Sequence, residues 1–302
     1  MELDFFNKIR ILDGGMGQEL LARGMEHNST LWSANAILDK KYHKLVLDTH
    51  KDFIKAGAEI IVTTTFATRK KRLKENNIED KFEYLNKKAG EIALKAKEEF
   101  LNVFVAGGLP PQNLTYESDN RNENEITKDF NEQAKVLNPY VDFFYFDVWS
   151  SIKEVKCGIN AIKEFKKPYL VGIHISEGTS LPSGEKISNL KNIIDEQALG
   201  VMLSCVSPEN FEANLDQLKI LNVPFGFKLN GFVTTKPKEG YTTSFLKYKK
   251  GVNPNEFLGQ RKDLTPDKIS EIARKFKNKG ATIIGGCCET RPSHIKAMAK
   301  LK

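Results

Sequence analysis

Short runs of β-branched and aromatic residues recur along the chain, and most are followed by a polar stretch in which apolar positions return every three or four residues. The runs "IRILDGG" (9–15), "EIIVTTTF" (59–66), "VFVAGG" (103–108), "VDFFYFDV" (141–148), "PYLVGIHI" (168–175), "GVMLSC" (200–205), "PFGFKLN" (224–230) and "ATIIGG" (281–286) predict eight strands. Helices are expected over 39–58, around 80–101, over 126–137 and 151–165, in "PENFEANLDQLKIL" and in "RPSHIKAMAKL". In the first of these, Tyr42, Leu45, Val46, Thr49, Phe53 and Ile54 share one face. The strand runs are apolar on both faces, as in parallel strands buried from two sides. Alternating strands and helices imply parallel pairing through right-handed crossovers. Eight such units fit an α/β fold of the closed (β/α)₈ type, a TIM barrel forming one domain over residues 1–302, better than an open doubly wound sheet.

In such a barrel the chemistry collects where strands end. The expected ends carry Asp13-Gly14-Gly15, Thr63-Thr64-Thr65, Asp147, His174, Cys205, Asn230 and Cys287-Cys288. Long polar loops at 110–127 and 232–266 follow the third and seventh strands and are placed to cover that rim. Three of the four cysteines therefore share one rim. Strands six and eight are two apart, roughly 9–10 Å, a gap that thiolates with ~2.3 Å metal bonds span from opposite sides. Three thiolates suit Zn²⁺ and leave its fourth position open, which is the arrangement of catalytic and not of closed structural sites. Packing of each cysteine as a small apolar residue, or a strained redox disulfide within the vicinal pair, are the alternatives. Cys157 falls in mid-helix and is expected to be a buried packing residue. His174 reads as a neutral, hydrogen-bonded core histidine within reach of the rim, and His294 is assigned no chemistry.

Composition narrows the class. With 40% hydrophobic and 28% charged residues and no apolar stretch near ~20 residues, the chain is globular, with no membrane span. The start "MELDFFNKIRILDGG" lacks the features of a secretory signal, and four cysteines in 302 residues are too few for a disulfide scaffold, so a cytoplasmic location is expected. The net charge of +7 is spread over helix faces without an interleaved aromatic stripe, which argues against a nucleic-acid partner. The runs "RKKRLK" (69–74) and "KYKKG" (247–251) are expected to coat a solvated surface.

The segments "ILDGGMGQELLARG" (11–24), "LWSANA" (31–36), "AGAEIIVTTTF" (56–66), "SCVSPE" (204–209) and "GGCCETRPSHI" (285–295) resemble, in order, the motifs of the zinc-dependent homocysteine S-methyltransferases. That family includes the betaine- and S-methylmethionine-using enzymes and the homocysteine domain of methionine synthase. The resemblance implies a (β/α)₈ barrel in which Cys205, Cys287 and Cys288 hold Zn²⁺ and serve catalysis. Asp13 with Gly14 and Gly15 would bind the amino acid end of homocysteine, Asp147 its ammonium, and Trp32 would line the methyl-donor pocket. On the residues alone, a turn before Gly14-Gly15 is the alternative for Asp13, and Trp32 equally suits a core. Ser204 stands where the family usually has Asn, Asp147 where it has Glu, Glu289 where it has Gly, and Ala67 where the betaine branch has a tyrosine. The chain also stops soon after the eighth helix, without the extension by which betaine enzymes oligomerise. The expected reaction is methyl transfer from S-methylmethionine or S-adenosylmethionine to homocysteine, giving methionine. A betaine or dimethylsulfonium donor, another thiol or selenol as acceptor, and a divergent barrel with structural zinc and a binding role are the alternatives. Small-molecule substrates are the expected partners, in a monomer or small homo-oligomer.

Overall fold

The computed structural model describes residues 2–28, 30–235 and 258–302. Its eight strands are β1 (Arg10–Ile11), β2 (Ile60–Val62), β3 (Phe104–Leu109), β4 (Phe143–Trp149), β5 (Tyr169–Ile173), β6 (Ala198–Val206), β7 (Phe225–Leu229) and β8 (Ile283–Gly286). All pair in parallel in the order β1-β8-β7-β6-β5-β4-β3-β2. A parallel bridge between Leu12 and Ile60, with Asp13 N donating to Ile60 O at 2.9 Å, joins β1 to β2 and closes the barrel. This is the expected (β/α)₈ architecture. No helix among the described residues is long and apolar enough to cross a membrane.

Side-chain alternation divides the core into two layers. Phe143 and Tyr145 of β4, with Leu12, Ile60, Leu170, Met202 and Ile283, fill the barrel, and Phe6 closes its N-terminal end. Phe144 and Phe146 of the same strand point outward into the sheet–helix layer with Val201, Leu203, Phe227 and Leu229. Both faces are dry, which is why the strand runs are apolar throughout. Gly226 sits where an added Cβ would come within 1.8 Å of Ile283 O, so only glycine allows β7 and β8 to approach there.

Most helices are shorter than their sequence signals, although the one expected over 126–137 starts earlier, at Glu123. The one expected over 39–58 is a 3₁₀ turn, Lys40–Tyr42, followed by an α-helix, His43–Lys55, with Tyr42, Val46, Thr49, Phe53 and Ile54 buried and Leu45 half-buried. The 208–221 segment is two short helices, Pro208–Ala213 and Leu215–Ile220. A helix over Pro266–Asn278 has no counterpart among the expected elements, although Thr265 caps it by accepting from Lys268 N, Pro266 stands in its first turn, and Ile269, Ala273 and Phe276 are buried. Between β5 and β6 the chain is irregular apart from one 3₁₀ segment, Ile187–Asn192. Residues 236–257, including the "KYKKG" run and most of the 232–266 loop, lie outside the described residues.

The Ile152–Ile162 helix carries a buried acid. Ser151 Oγ accepts from Glu154 N, and Glu154 Oε2 accepts from Ser151 Oγ at 2.7 Å and Ser150 N at 3.2 Å. Burial pushes the Glu154 carboxyl up to about 7, against an ordinary 4.5. Between those values the folded chain keeps a proton that the unfolded chain releases, so stability falls as pH rises through that window. Glu154→Gln keeps the acceptor and removes the titration. The variant is expected to lack a loss of roughly 2–4 kcal/mol that the wild type shows between pH 5 and 8 in urea unfolding; parallel profiles for the two proteins would contradict this.

Candidate active site

Two interruptions in strand alternation shape the C-terminal rim. In β6, Met202 faces the barrel and Ser204 bonds Tyr145 within it, while Val201 and Leu203 face out. Strict alternation would turn Cys205 outward too. Instead the β6–β7 register shifts between Ser204 and Val206, and Cys205 takes a φ of 53°, which swings its side chain back over the barrel mouth. The second shift lies between Phe146 and Trp149 of β4, where Val148 has a φ of 68°. Asp147 and Val148, consecutive in sequence, consequently both line the same cavity. A β-branched residue at positive φ is strained, on the order of 1–3 kcal/mol, and such strain clusters at functional sites. Trp32 (43°), Tyr116 (67°) and Glu289 (60°) add three more positive φ values around this rim. Glu289 thus holds the conformation that glycine adopts without cost.

The vicinal cysteines leave β8 against the chain after β1. Gly15 N donates to Thr290 O at 3.0 Å, and a Cβ on Gly15 would lie 2.4 Å from Cys287 O, so the glycine is what permits this approach. Cys287 N donates to Leu229 O at 2.6 Å, and Asn230 Nδ2 to Cys205 O at 2.6 Å, tying the end of β7 to both cysteine segments. The sulfurs of Cys205, Cys287 and Cys288 all lie within 4.8 Å of one another. All four cysteines are free thiols, so the vicinal pair forms no disulfide. Cys157 is buried in its helix away from the other three, its Sγ 3.6 Å from Glu123 O.

The three sulfurs polarise one another. Hydrogen bonds from Cys287 and Cys288, with a further one from Tyr116 Oη at 3.1 Å, hold the Cys205 thiol well below its ordinary range. Donation to Cys205 pushes Cys287 up to about 12, and Cys288 is raised for the same reason. The three sulfurs form one hydrogen-bonded set of soft donors that could hold a metal ion.

The cavity encloses about 1080 Å³, part of it open to solvent. Asp13, Gly14, Gly15, Thr63, Thr64, Trp32 and Asp147 all line it with the cysteines, whereas Thr65, His174 and Asn230 at the other strand ends are buried and do not. Asp13 Oδ2 accepts from Val62 N at 2.8 Å, and Asp13 Oδ1 pairs with Lys228 Nζ at 2.8 Å. Burial drives the Asp13 carboxyl upward, with Lys228 opposing it. Burial also opposes the charge on Lys228, but Asp13 and Asp147 outweigh it and the ammonium is held above its ordinary value. Asp147, deep in the mouth yet open to the cavity, is raised by burial to about 7. His174 is fully buried, with Nδ1 3.1 Å from Ser204 O and Nε2 2.9 Å from Ser176 Oγ, and burial lowers it to about 4. It is a neutral core residue packed against Tyr116, the ring centroids 4.3 Å apart and the planes tilted by 32°. His294 serves the last helix, its Nδ1 accepting from Arg291 N.

Packed with the cysteine cluster in the cavity wall are two aromatic rings, Trp32 and Phe66, edge to face at 5.9 Å. Gly17 leaves room for the indole, since a Cβ there would lie 2.3 Å from it. Arg69 and Arg72 also line the cavity, with Arg69 only 2% exposed and donating to Thr115 Oγ1 at 3.1 Å. The expectation of a solvated 69–74 run is corrected for these two. Arg69 precedes the short Lys70–Lys74 helix and Arg72 lies in its middle, and their side chains turn inward while Lys71 faces solvent. Sequence reading also passed over Lys228 and Tyr116. A lysine inside the apolar run "FGFKL" was the available signal for the first, whereas nothing local marks Tyr116.

A cavity walled by strand-end thiols and carboxylates at the C-terminal mouth of a parallel barrel stands where barrel enzymes hold their active sites. A model of the homocysteine S-methyltransferase family matches residues 10–301, and the chain belongs to that family. Homocysteine S-methyltransferase 1 of Saccharomyces cerevisiae is 28% identical, covering 97% of this chain and 93% of its own length. Homocysteine S-methyltransferase YbgG of Bacillus subtilis is 25% identical over 96% and 93%. Among solved structures, the metallated form of the Escherichia coli homocysteine methyltransferase MmuM superposes with a TM-score of 0.79 at 20% identity, covering 98% of this chain and 96% of that one; it is similar in fold.

The proton distribution among the sulfurs gives a test. In reduced, chelator-treated protein at pH 7, ultraviolet thiolate absorbance is expected to report about one thiolate per chain, abolished by Cys205→Ala and kept in Cys157→Ala. Equal signals in the two variants would contradict the assignment.

Proposed function

We propose that this methyltransferase moves a methyl group from a sulfonium donor, S-methylmethionine or S-adenosylmethionine, to the thiol of homocysteine, giving methionine. The reading assigns Zn²⁺ to Cys205, Cys287 and Cys288. The observation that carries it is the approach of three sulfurs to within 4.8 Å of one another beside two cavity carboxylates. A tetrahedral zinc with ~2.3 Å bonds to sulfur needs sulfurs about 3.8 Å apart, so small side-chain rotations suffice, and the soft donor set suits zinc. When bound, zinc supplies a Lewis acid that favours an ionised acceptor thiol at neutral pH.

The protein's own groups do the rest. Asp147 and the Gly14-Gly15 turn hold the amino acid end of homocysteine, with its sulfur directed at the cysteine trio. Trp32 and Phe66 offer π faces to an onium centre, and Arg69 and Arg72 on the same wall suit a donor's carboxylate. Phe232 and Leu258 pack around Cys205, Cys288 and Tyr116 and keep water from the sulfurs. In the transfer step the acceptor sulfur forms a bond to the methyl carbon as the donor's C–S bond breaks. A neutral thioether leaves and needs no proton, so positioning supplies the catalysis. The aromatic wall would accept a quaternary ammonium as well, which keeps betaine and dimethylsulfonium donors as a second reading. Ala67, buried in the wall, contributes no hydroxyl to such a donor.

Purified protein is expected to bind one zinc per chain and to form methionine from homocysteine with S-methylmethionine or S-adenosylmethionine faster than with betaine. Alanine at position 205, 287 or 288 is expected to remove both the metal and the activity. Full turnover by verified zinc-free protein would defeat the proposal and favour zinc as a brace. Trp32→Ala should lower kcat/KM for the sulfonium donor about tenfold, as loss of a partly desolvated cation–π contact implies, while zinc content stays unchanged.

A further inference from the structure

Lys228 has no role in the reaction as stated so far. Alternation in β7 turns it into the barrel, and its side chain is 7% exposed. Among the described residues its ammonium has one hydrogen-bond partner, Asp13 Oδ1. An ammonium carries three N–H donors, so two are unspent in a buried setting, and the group lines the cavity with Asp147 and Cys287. The Tyr145 ring, 5.7 Å from Nζ, shields another side. Asp13 has both oxygens engaged, one by Lys228 and one by Val62 N. Its charge is therefore answered from within the protein, and Asp147 is the cavity carboxylate left to meet a cationic ligand group. An α-amino acid brings one ammonium and one carboxylate on the same carbon. Asp13 aside, the charged groups that act on Cys287 in this cavity are the Asp147 carboxylate and the Lys228 ammonium, whereas Arg69 and Arg72 line it elsewhere, Arg69 beside Thr115.

Resting on the reading of homocysteine as acceptor, we propose that Lys228 is a specificity-determining residue that receives the acceptor's α-carboxylate, while Asp147 receives its α-ammonium. Asp13 is then a positioning residue that fixes the Lys228 ammonium and does not meet the acceptor directly. A buried ion pair as such is weak support for stability, because apolar residues of similar volume serve as well. Its place in the cavity wall follows from ligand recognition.

The test compares three acceptors on zinc-loaded protein with the donor that supports turnover. They are homocysteine, 4-mercaptobutanoate, which lacks the ammonium, and 3-mercaptopropylamine, which lacks the carboxylate. In the wild type each truncated thiol is expected to raise KM about tenfold or more. Lys228→Met should raise KM for homocysteine and 4-mercaptobutanoate by about tenfold and leave that for 3-mercaptopropylamine within roughly twofold, erasing the carboxylate preference. The double variant D13N/K228M removes the pair together, so that no lone buried carboxylate is left, and should show the same pattern if K228M alone fails to fold. Lys228→Arg should restore the preference, and Asp147→Asn should erase the ammonium preference instead. Equal effects on all three acceptors, or none, in folded zinc-replete variants would overturn the role of Lys228 while leaving the methyl transfer intact. Failure of the wild type to methylate homocysteine with any onium donor would overturn the underlying reaction and this inference with it.

Discussion

The structure depends on bringing three sulfurs from two non-adjacent strands to one point. Parallel strands set β6 and β8 two positions apart, and regular alternation would face Cys205 away from the barrel mouth. The bulge that reverses it, at a φ of 53°, is tolerated because Asn230 and the β7 ladder fix the backbone on either side. Gly15 contributes from β1 by allowing the Cys287 carbonyl to pass where any side chain would collide. The site is a set of local departures from ideal geometry, held by a barrel that is otherwise regular.

Charge is arranged with the same economy. Two carboxylates and one ammonium are buried beside thiols, an arrangement whose desolvation cost is severe unless each charge is answered. Asp13 and Lys228 answer one another, while burial raises Asp147 against the opposing pull of Lys228 and a Tyr145 hydrogen bond. A substrate ammonium would complete that balance, so recognition and electrostatic relief become one event. Trp32 and Phe66, with Arg69 and Arg72, line the same cavity as these carboxylates and thiols, so apolar, cationic and anionic surfaces meet in one space.

The barrel and its thiols could be read from the chain because both are written in local pattern. Runs apolar on both faces announced eight parallel strands, and the cysteines, with Asp13 and Asp147, stood at the ends of those runs. The Pro266–Asn278 helix was equally legible in "TPDKISEIARKF", where cap, proline and helical spacing all agree. It was lost inside a longer polar stretch. Arg69 and Arg72 illustrate the opposite case, since a basic run looks solvated whichever way its members turn.

What the sequence determined by itself was the order of strands and helices, the rim on which chemistry gathers, and the family, because hydrophobic period and short motifs are local properties. The tertiary structure alone decided that Cys205 turns inward, that Lys228 pairs with Asp13 across 215 positions of sequence, that Tyr116 reaches a thiol 89 positions away, and that two arginines of a basic run face a cavity. Each of these depends on where the closing of the barrel sets one strand end against another, and no local spacing carries that information.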